Sequence, residues 1–409
     1  MDEIKGHLPC YYYDGEMILA QCHALKNALM GFDFLYSIKT NPFEPIVADI
    51  AGEGFGGDAA SVEEVEISLR NGMAPEAIFY SAPGKSEADI KSCFGRCVLI
   101  ADSFTEIARI NAEAQRHNRV EKIGIRVNPQ FTMEQESGQS SKFGIDSEQM
   151  DELEVLLAQC NHISVVGVHI HIKSQELDFK KLGGYYQNCF QLAQELNALD
   201  GIELAFINFG SGIGALYDAC AEAPVDLKRL ADMLETMVAE NRKSLGARLY
   251  IETGRFLVCN AGTYYTEIID IKKSRGRKYL IVKNAMNGFL RPAIAGLLES
   301  NCEGRAFAGQ EPLYASNHAF QISVLNEETE TERVDIVGNL CTALDILGRD
   351  VEVRRGNIGD IVAVSNAGSY GYALSPLLFS GHSLPKQLYK SPEREKDTLA
   401  RYRNEDESI

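Results

Sequence analysis

Short apolar, β-branched runs recur through the first two-thirds of the chain, each ending on polar residues or glycine. They are "FLYSIK" to Lys39, "GFGGDAAS" to Ser61, "AIFYSAPGK" to Lys85 and "CVLIADS" to Ser103. "KIGIRVNP" to Pro129, "SVVGVHIHIKS" to Ser174, "AFINFGSGIG" to Gly214 and "RLYIETGR" to Arg255 follow. Between them, segments such as "SVEEVEISLRNG", "SFTEIARINAEAQRH" and "YYQNCFQLAQELNAL" space their apolar residues as helices do. Strand–helix alternation of this count and length predicts a (β/α)8 barrel over residues 27–260.

Beyond it the pattern changes. "TYYTEIIDIKKS", "KYLIVKNA", "AFQISVLN", "RVDIVGNLC" and "GDIVAVSNAG" alternate or are β-branched, with turns between. They predict a mostly antiparallel β domain over 261–385, to which residues 1–26 add a strand through "CYYYD". The stretch 386–409 ends in dense charge and reads as a solvated tail.

Composition narrows the function. With 409 residues, 45% hydrophobic content and a net charge of −18, the chain reads as a two-domain globular protein. The acidic balance argues against a nucleic-acid or anionic-membrane partner, and no apolar run is long enough to span a bilayer. The ten cysteines form no paired CxxC motifs, and the N-terminus lacks the basic-then-apolar order of a signal peptide. Both features point to reduced thiols in a cytoplasm.

In such a barrel, chemistry gathers at the C-terminal strand ends, which here carry Lys39, Asp58, Arg126, His171, Gly210 to Gly214, Glu252 and Arg255. Taken singly, each has an ordinary explanation: a strand-end lysine reaching water, a glycine turn, a surface ion pair. "NFGSGIG" can cradle a phosphate with successive N–H groups, and Arg255 can neutralise it. His169 and His171 point the same way from one strand, yet no other histidine sits at a strand end to complete a metal site, so no metal is expected. A lysine for a Schiff base, a phosphate cradle, a flat imidazole for stacking and a carboxylate for a ring nitrogen together suit pyridoxal 5′-phosphate (PLP).

The ordered motifs then make a resemblance plain. "YSIKTN", "GDAAS", "RVNP", "SKFGI", "GVHIHIKSQ", "ETGR", "LCTALD" and "NAGSYGY" resemble those of fold-type III PLP-dependent decarboxylases, the group of diaminopimelate and ornithine decarboxylases. The resemblance implies Lys39 as the cofactor lysine and Asp58, Arg126 and His171 around the ring, with Ser174 in contact. It also implies Gly210, Ser211, Gly212, Arg255 and Tyr370 at the phosphate and Glu252 at the ring nitrogen. Cys341 would come from the partner subunit of a homodimer with shared sites and protonate the product carbon.

Departures bear on the substrate. Thr342 stands where relatives carry an acidic residue for a distal amine, Lys173 replaces a glycine, and "GFLRPAI" keeps Arg291. The expected activity is therefore decarboxylation of a small molecule with an anionic distal group, such as a siderophore precursor or a carrier-bound glutamyl group. The alternatives are a diaminopimelate decarboxylase of lysine biosynthesis and a racemase-like or regulatory homologue. Glu252, in place of the racemases' arginine, and the retained Lys39 and Cys341 speak for decarboxylation.

Overall fold

The computed structural model describes residues 2–134, 137–301, 319–392 and 400–401. The chain forms two units: Gln21–Gly214 with Pro224–Gly254, and the described parts of Met1–Ala20, Ala215–Ala223 and Arg255–Ile409.

The first unit is the expected barrel. Its strands are β1 (Phe32–Ser37), β2 (Gly56–Ala59), β3 (Ile78–Tyr80), β4 (Val98–Ala101), β5 (Glu121–Asn128), β6 (Ile163–His169), β7 (Ile202–Asn208) and β8 (Arg248–Thr253). Each pairs in parallel with the next, and β8 closes on β1, with Leu249 opposite Phe32 and Thr253 opposite Tyr36. Helices return the chain between strands. Ser61 and Ser103 start two of them, their side chains accepting the N–H of Glu64 and of Glu106.

Side chains two apart on a strand share a face, so a closed barrel stacks its interior in layers. One layer is apolar: Leu35, Phe79, Ile100, Phe206 and Tyr250 pack together, with Phe206 and Tyr250 each 5.0 Å from the Phe79 ring. Gly124 and Gly167 leave room for the Phe206 ring, which lies where their side chains would be. Two residues further along these strands come Ser37, Ser81, Asp102, Arg126, His169, Asn208 and Glu252, all buried, and Asp58 stands in the same relation to Gly56. The polar layer thus rests on an apolar floor.

The second unit is a mostly antiparallel sheet. Gly262–Ser274 pairs antiparallel with Cys10–Asp14, Arg277–Val282 and Ile361–Val364. Two features differ from the sequence expectation. Lys386–Lys390, assigned above to the tail, is a strand parallel to Cys10–Asp14, because Leu388 and Tyr389 are buried. Ile346–Arg354 is a further strand that pairs with Thr331–Val337. Of the remaining tail, residues 393–399 and 402–409 lie outside the described residues. Among the described residues no helix is long and apolar enough to cross a membrane.

The floor gives a direct test. A methyl group at Gly167 collides with the Phe206 ring held by Phe79 and Tyr250. Gly167→Ala is expected to destabilise the protein by about 1–3 kcal/mol, read as a lowered denaturation midpoint. An unchanged midpoint would show that the floor yields.

Candidate active site

Lys39 lies in the short 3₁₀ turn Ile38–Thr40 that ends β1. Its Nζ is 3.1 Å from Oδ2 of Asp58, a fully buried carboxylate at the end of β2. Ser37 donates to the same oxygen at 2.9 Å, and Ser81 donates to Oδ1 at 2.6 Å. Three donors keep this carboxylate beside the lysine. Arg126 donates weakly to the Ser81 carbonyl at 3.4 Å, stands 3.9 Å from Asp102 and packs over the Phe143 ring of "SKFGI".

Beneath Ser81 is a charge pair that the sequence reading passed over. Glu106 accepts the N–H groups of Lys85 (2.8 Å) and Asp102 (2.9 Å), and the Lys85 ammonium sits 2.7 Å from it. Lys85 also donates to the Ala82 carbonyl at 2.6 Å. One buried carboxylate thereby ties down the loops after β3 and β4, which carry Ser81 and Asp102.

Across the barrel, Asn208 donates to Glu252 Oε1 at 2.9 Å and His169 Nε2 lies 3.1 Å from the same oxygen. Burial pushes the Glu252 carboxyl up, but His169, which also bonds to it, and Lys39 outweigh that and hold it below the usual carboxylate range. Burial pushes His171 down to about 4, with Arg126 and Lys39 adding to the effect against Glu252. The site therefore pairs an ionised carboxylate with a neutral imidazole. His171 Nδ1 accepts the Ser211 N–H at 2.9 Å, which leaves the ring proton on Nε2.

The glycine loop packs tightly on this imidazole. Gly210 has φ +67°, and a Cβ there would lie 2.6 Å from both the His171 Cβ and the Ile170 carbonyl. The N–H groups of Gly210 and Ser211 bond to Asn208 and His171, whereas those of Gly212 and Ile213 have no partner among the described residues. Lysine, neutral imidazole, anionic carboxylate and backbone donors after β7 fit the aldehyde, ring face, ring nitrogen and phosphate of PLP. Among the described residues no cluster of three or more His, Cys, Asp or Glu is placed to hold a metal.

The remaining expected residues are distributed as follows. Ser174 follows β6 in a loop and is partly buried. Lys173, expected as an added cation, is paired with Glu134 and lies 3.6 Å from Glu176. In the β unit, Arg255 and Arg291 are both buried and both donate to the Tyr217 hydroxyl, Arg291 at 2.8 Å. Arg255 also stacks on Tyr370, 5.1 Å from its ring centre. Thr342 lies in a turn, its hydroxyl accepting the Leu344 N–H at 3.3 Å, and Cys341 beside it is exposed.

Sequence reasoning missed Ser81, Asp102, Asn208, Glu106 and Tyr217. The first three could have been found by counting two residues on from the apolar layer. Tyr217 lies in an irregular segment with no such signal.

The family model for the pyridoxal-binding domain of pyridoxal-dependent decarboxylases matches residues 16–259. The L-glutamyl-[BtrI acyl-carrier protein] decarboxylase of Niallia circulans is 29% identical over 93% of this chain and 88% of its own. The diaminopimelate decarboxylase of Aquifex aeolicus is 28% identical over 90% and 83%. The crystal structure of diaminopimelate decarboxylase from Helicobacter pylori complexed with L-lysine superposes with a TM-score of 0.79 at 26% identity, covering 93% of this chain and 91% of that one. Since the family match takes in well over half of the chain and every barrel strand, the chain belongs to the pyridoxal-dependent decarboxylases: it is a PLP-dependent carboxy-lyase acting on an amino acid.

Proposed function

We propose that the substrate carries a carboxylate at its far end and that two subunits share each site. The observation that carries the first part is the meeting of Arg255 and Arg291 on one buried phenol oxygen. Guanidinium forks match a carboxylate geometrically, whereas a distal ammonium beside them adds like charge in a desolvated place. Thr342 points the same way, because a hydroxyl cannot neutralise an ammonium. A siderophore precursor or a carrier-bound glutamyl group has the required chemistry, the Niallia circulans relative being an L-glutamyl-[BtrI acyl-carrier protein] decarboxylase.

In this reading Lys39 would hold the cofactor, Gly212 and Ile213 would offer N–H groups to its phosphate, and the neutral His171 ring would supply a flat face for its ring. Arg255, expected at the phosphate, also serves the substrate's distal anion through its place beside Arg291. When bound, PLP supplies the electron sink that takes the pair left by departing CO2. Glu252 keeps a negative charge where the ring nitrogen would sit, which favours protonation there. Asp58, held by Ser37 and Ser81, stays beside Lys39 and would stabilise positive charge on its nitrogen. Cys341, exposed in the β unit, delivers a proton to the product carbon from the partner subunit.

The second reading is meso-diaminopimelate, favoured by the relatives of that activity. Its far end carries an amine as well as a carboxylate, so the site described here is expected to turn it over weakly. A CO2-release panel of carboxylate-ended, amine-ended and mixed substrates separates the two readings. Diaminopimelate turnover with kcat/KM near ~10⁴ M⁻¹s⁻¹ or above would return the protein to lysine biosynthesis.

Three further outcomes are expected. Borohydride reduction of the holoenzyme should leave the pyridoxyl group on the peptide containing Lys39, and its recovery on another lysine would remove Lys39 from its role. Inactive Lys39→Ala and Cys341→Ala proteins, mixed under conditions of subunit exchange, should regain part of the activity through hybrid sites. No recovery after verified exchange would count against a shared site. Cys341→Ala alone should lose on the order of 10²–10⁴ in rate.

A further inference from the structure

The segment Ala215–Ala223 belongs to the β unit, although the chain on either side of it belongs to the barrel. Tyr217 is its buried centre, packed with Ala215, Cys259 and Ala319 and flanked by Phe320. Its backbone is held from several directions. Asn366 Nδ2 donates to its carbonyl at 3.1 Å, its N–H donates to Glu222 at 3.2 Å, and Asn260 Nδ2 donates to the neighbouring Leu216 carbonyl at 2.8 Å. Asn260 also donates to the Asn366 Oδ1 at 2.8 Å, so the two asparagines form one clamp. Asn366 adopts φ +57°, the left-handed region that asparagine tolerates best after glycine.

This clamp sets the place of the phenol, and the phenol oxygen receives both guanidiniums. Arg291 is fastened a second time by donating to the Ser369 carbonyl at 2.9 Å and lies 5.0 Å from the Phe320 ring centre. Burial pushes the Tyr217 phenol up against the opposite pull of Arg291 and Arg255, so the hydroxyl stays a neutral acceptor. Two like charges this close repel, the more so away from water. A shared acceptor holds them together and fixes the relative placement of two planar forks.

We infer that Tyr217 is a positioning residue that sets the spacing of Arg255 and Arg291 and thereby makes the enzyme select a carboxylate-ended over a neutral-ended substrate. The inference rests on the anionic-substrate reading above. Tyr217 acts through the arginines, so its removal should change recognition of the distal end and spare the chemistry at the reacting carbon.

The test uses holoenzyme, with the best carboxylate-ended substrate of the panel, its ω-amide, and the non-reacting dicarboxylate glutarate. In Tyr217→Phe, which keeps the ring and its packing, KM for the acid should rise about 10–100-fold with kcat little changed. KM for the amide should change little, and glutarate binding by calorimetry should weaken in step with the acid. In an Arg291→Met background the effect of Tyr217→Phe should shrink to less than about threefold, because coupled residues are not additive. Should Tyr217→Phe melt early, Asn260→Ala, which loosens the clamp and keeps the phenol, should give the same acid-selective rise on a smaller scale. Acid preference in the wild type that persists unchanged in Tyr217→Phe, or effects that multiply independently in the double variant, overturns the role of Tyr217 and leaves the anionic substrate standing. A wild type that does not distinguish acid from amide overturns both.

Discussion

Side chains on a closed parallel barrel alternate between interior and exterior, and the organisation of the active site follows from that alternation. An apolar ring at Leu35, Phe79, Ile100, Phe206 and Tyr250 makes the next inward position on each strand the first that can face the mouth. Those positions hold Ser37, Ser81, Asp102, Asn208 and Glu252. A polar group there has an apolar floor below and other polar groups beside it. Each therefore satisfies its hydrogen bonds sideways, from strand to strand, and the groups become a connected set. Asp58 bonded by Ser37 and Ser81, and Glu252 bonded by Asn208, are the direct result.

The same enclosure sorts the protonation states. Low polarisability disfavours charge, so a group stays ionised only where specific partners repay its desolvation. Glu252 has them in His169, Lys39 and the Asn208 amide. His171 receives one N–H at Nδ1 and faces Arg126 and Lys39, so it remains neutral. Two ionisable groups of the same small site are thus driven to opposite outcomes, one to hold a charge and one to present a flat uncharged ring.

The barrel was readable because most of its strands are apolar runs, largely buried, that give way to polar or glycine residues. Ile346–Arg354 was not, because Arg349, Asp350 and Glu352 are exposed and hide the alternation. Lys386–Lys390 escaped because two buried side chains between lysines look like part of a charged tail. Lys39, Asp58, His171 and Glu252 could be picked out from strand ends and motifs together. Tyr217 could not, since its meaning depends on Arg255 and Arg291, distant in sequence, and on asparagine side chains that hold its backbone. Lys173 shows what a count of charges from sequence leaves out: its ammonium pairs with Glu134 and lies 3.6 Å from Glu176.

The strand Cys10–Asp14 takes its neighbours from Gly262–Ser274 and from Lys386–Lys390. During synthesis its first partner emerges only after the whole barrel has been made, and its second later still. At about 5–20 residues per second, an edge that includes Tyr11 and Tyr13, both buried in the finished protein, waits for tens of seconds without its sheet. The barrel segments, whose pairings are mostly between successive strands, can close in the meantime. The order of translation thus separates a unit whose pairings lie mostly between successive strands from one whose tyrosine strand must wait for partners made after the barrel, and that strand is where a chaperone would have most to protect.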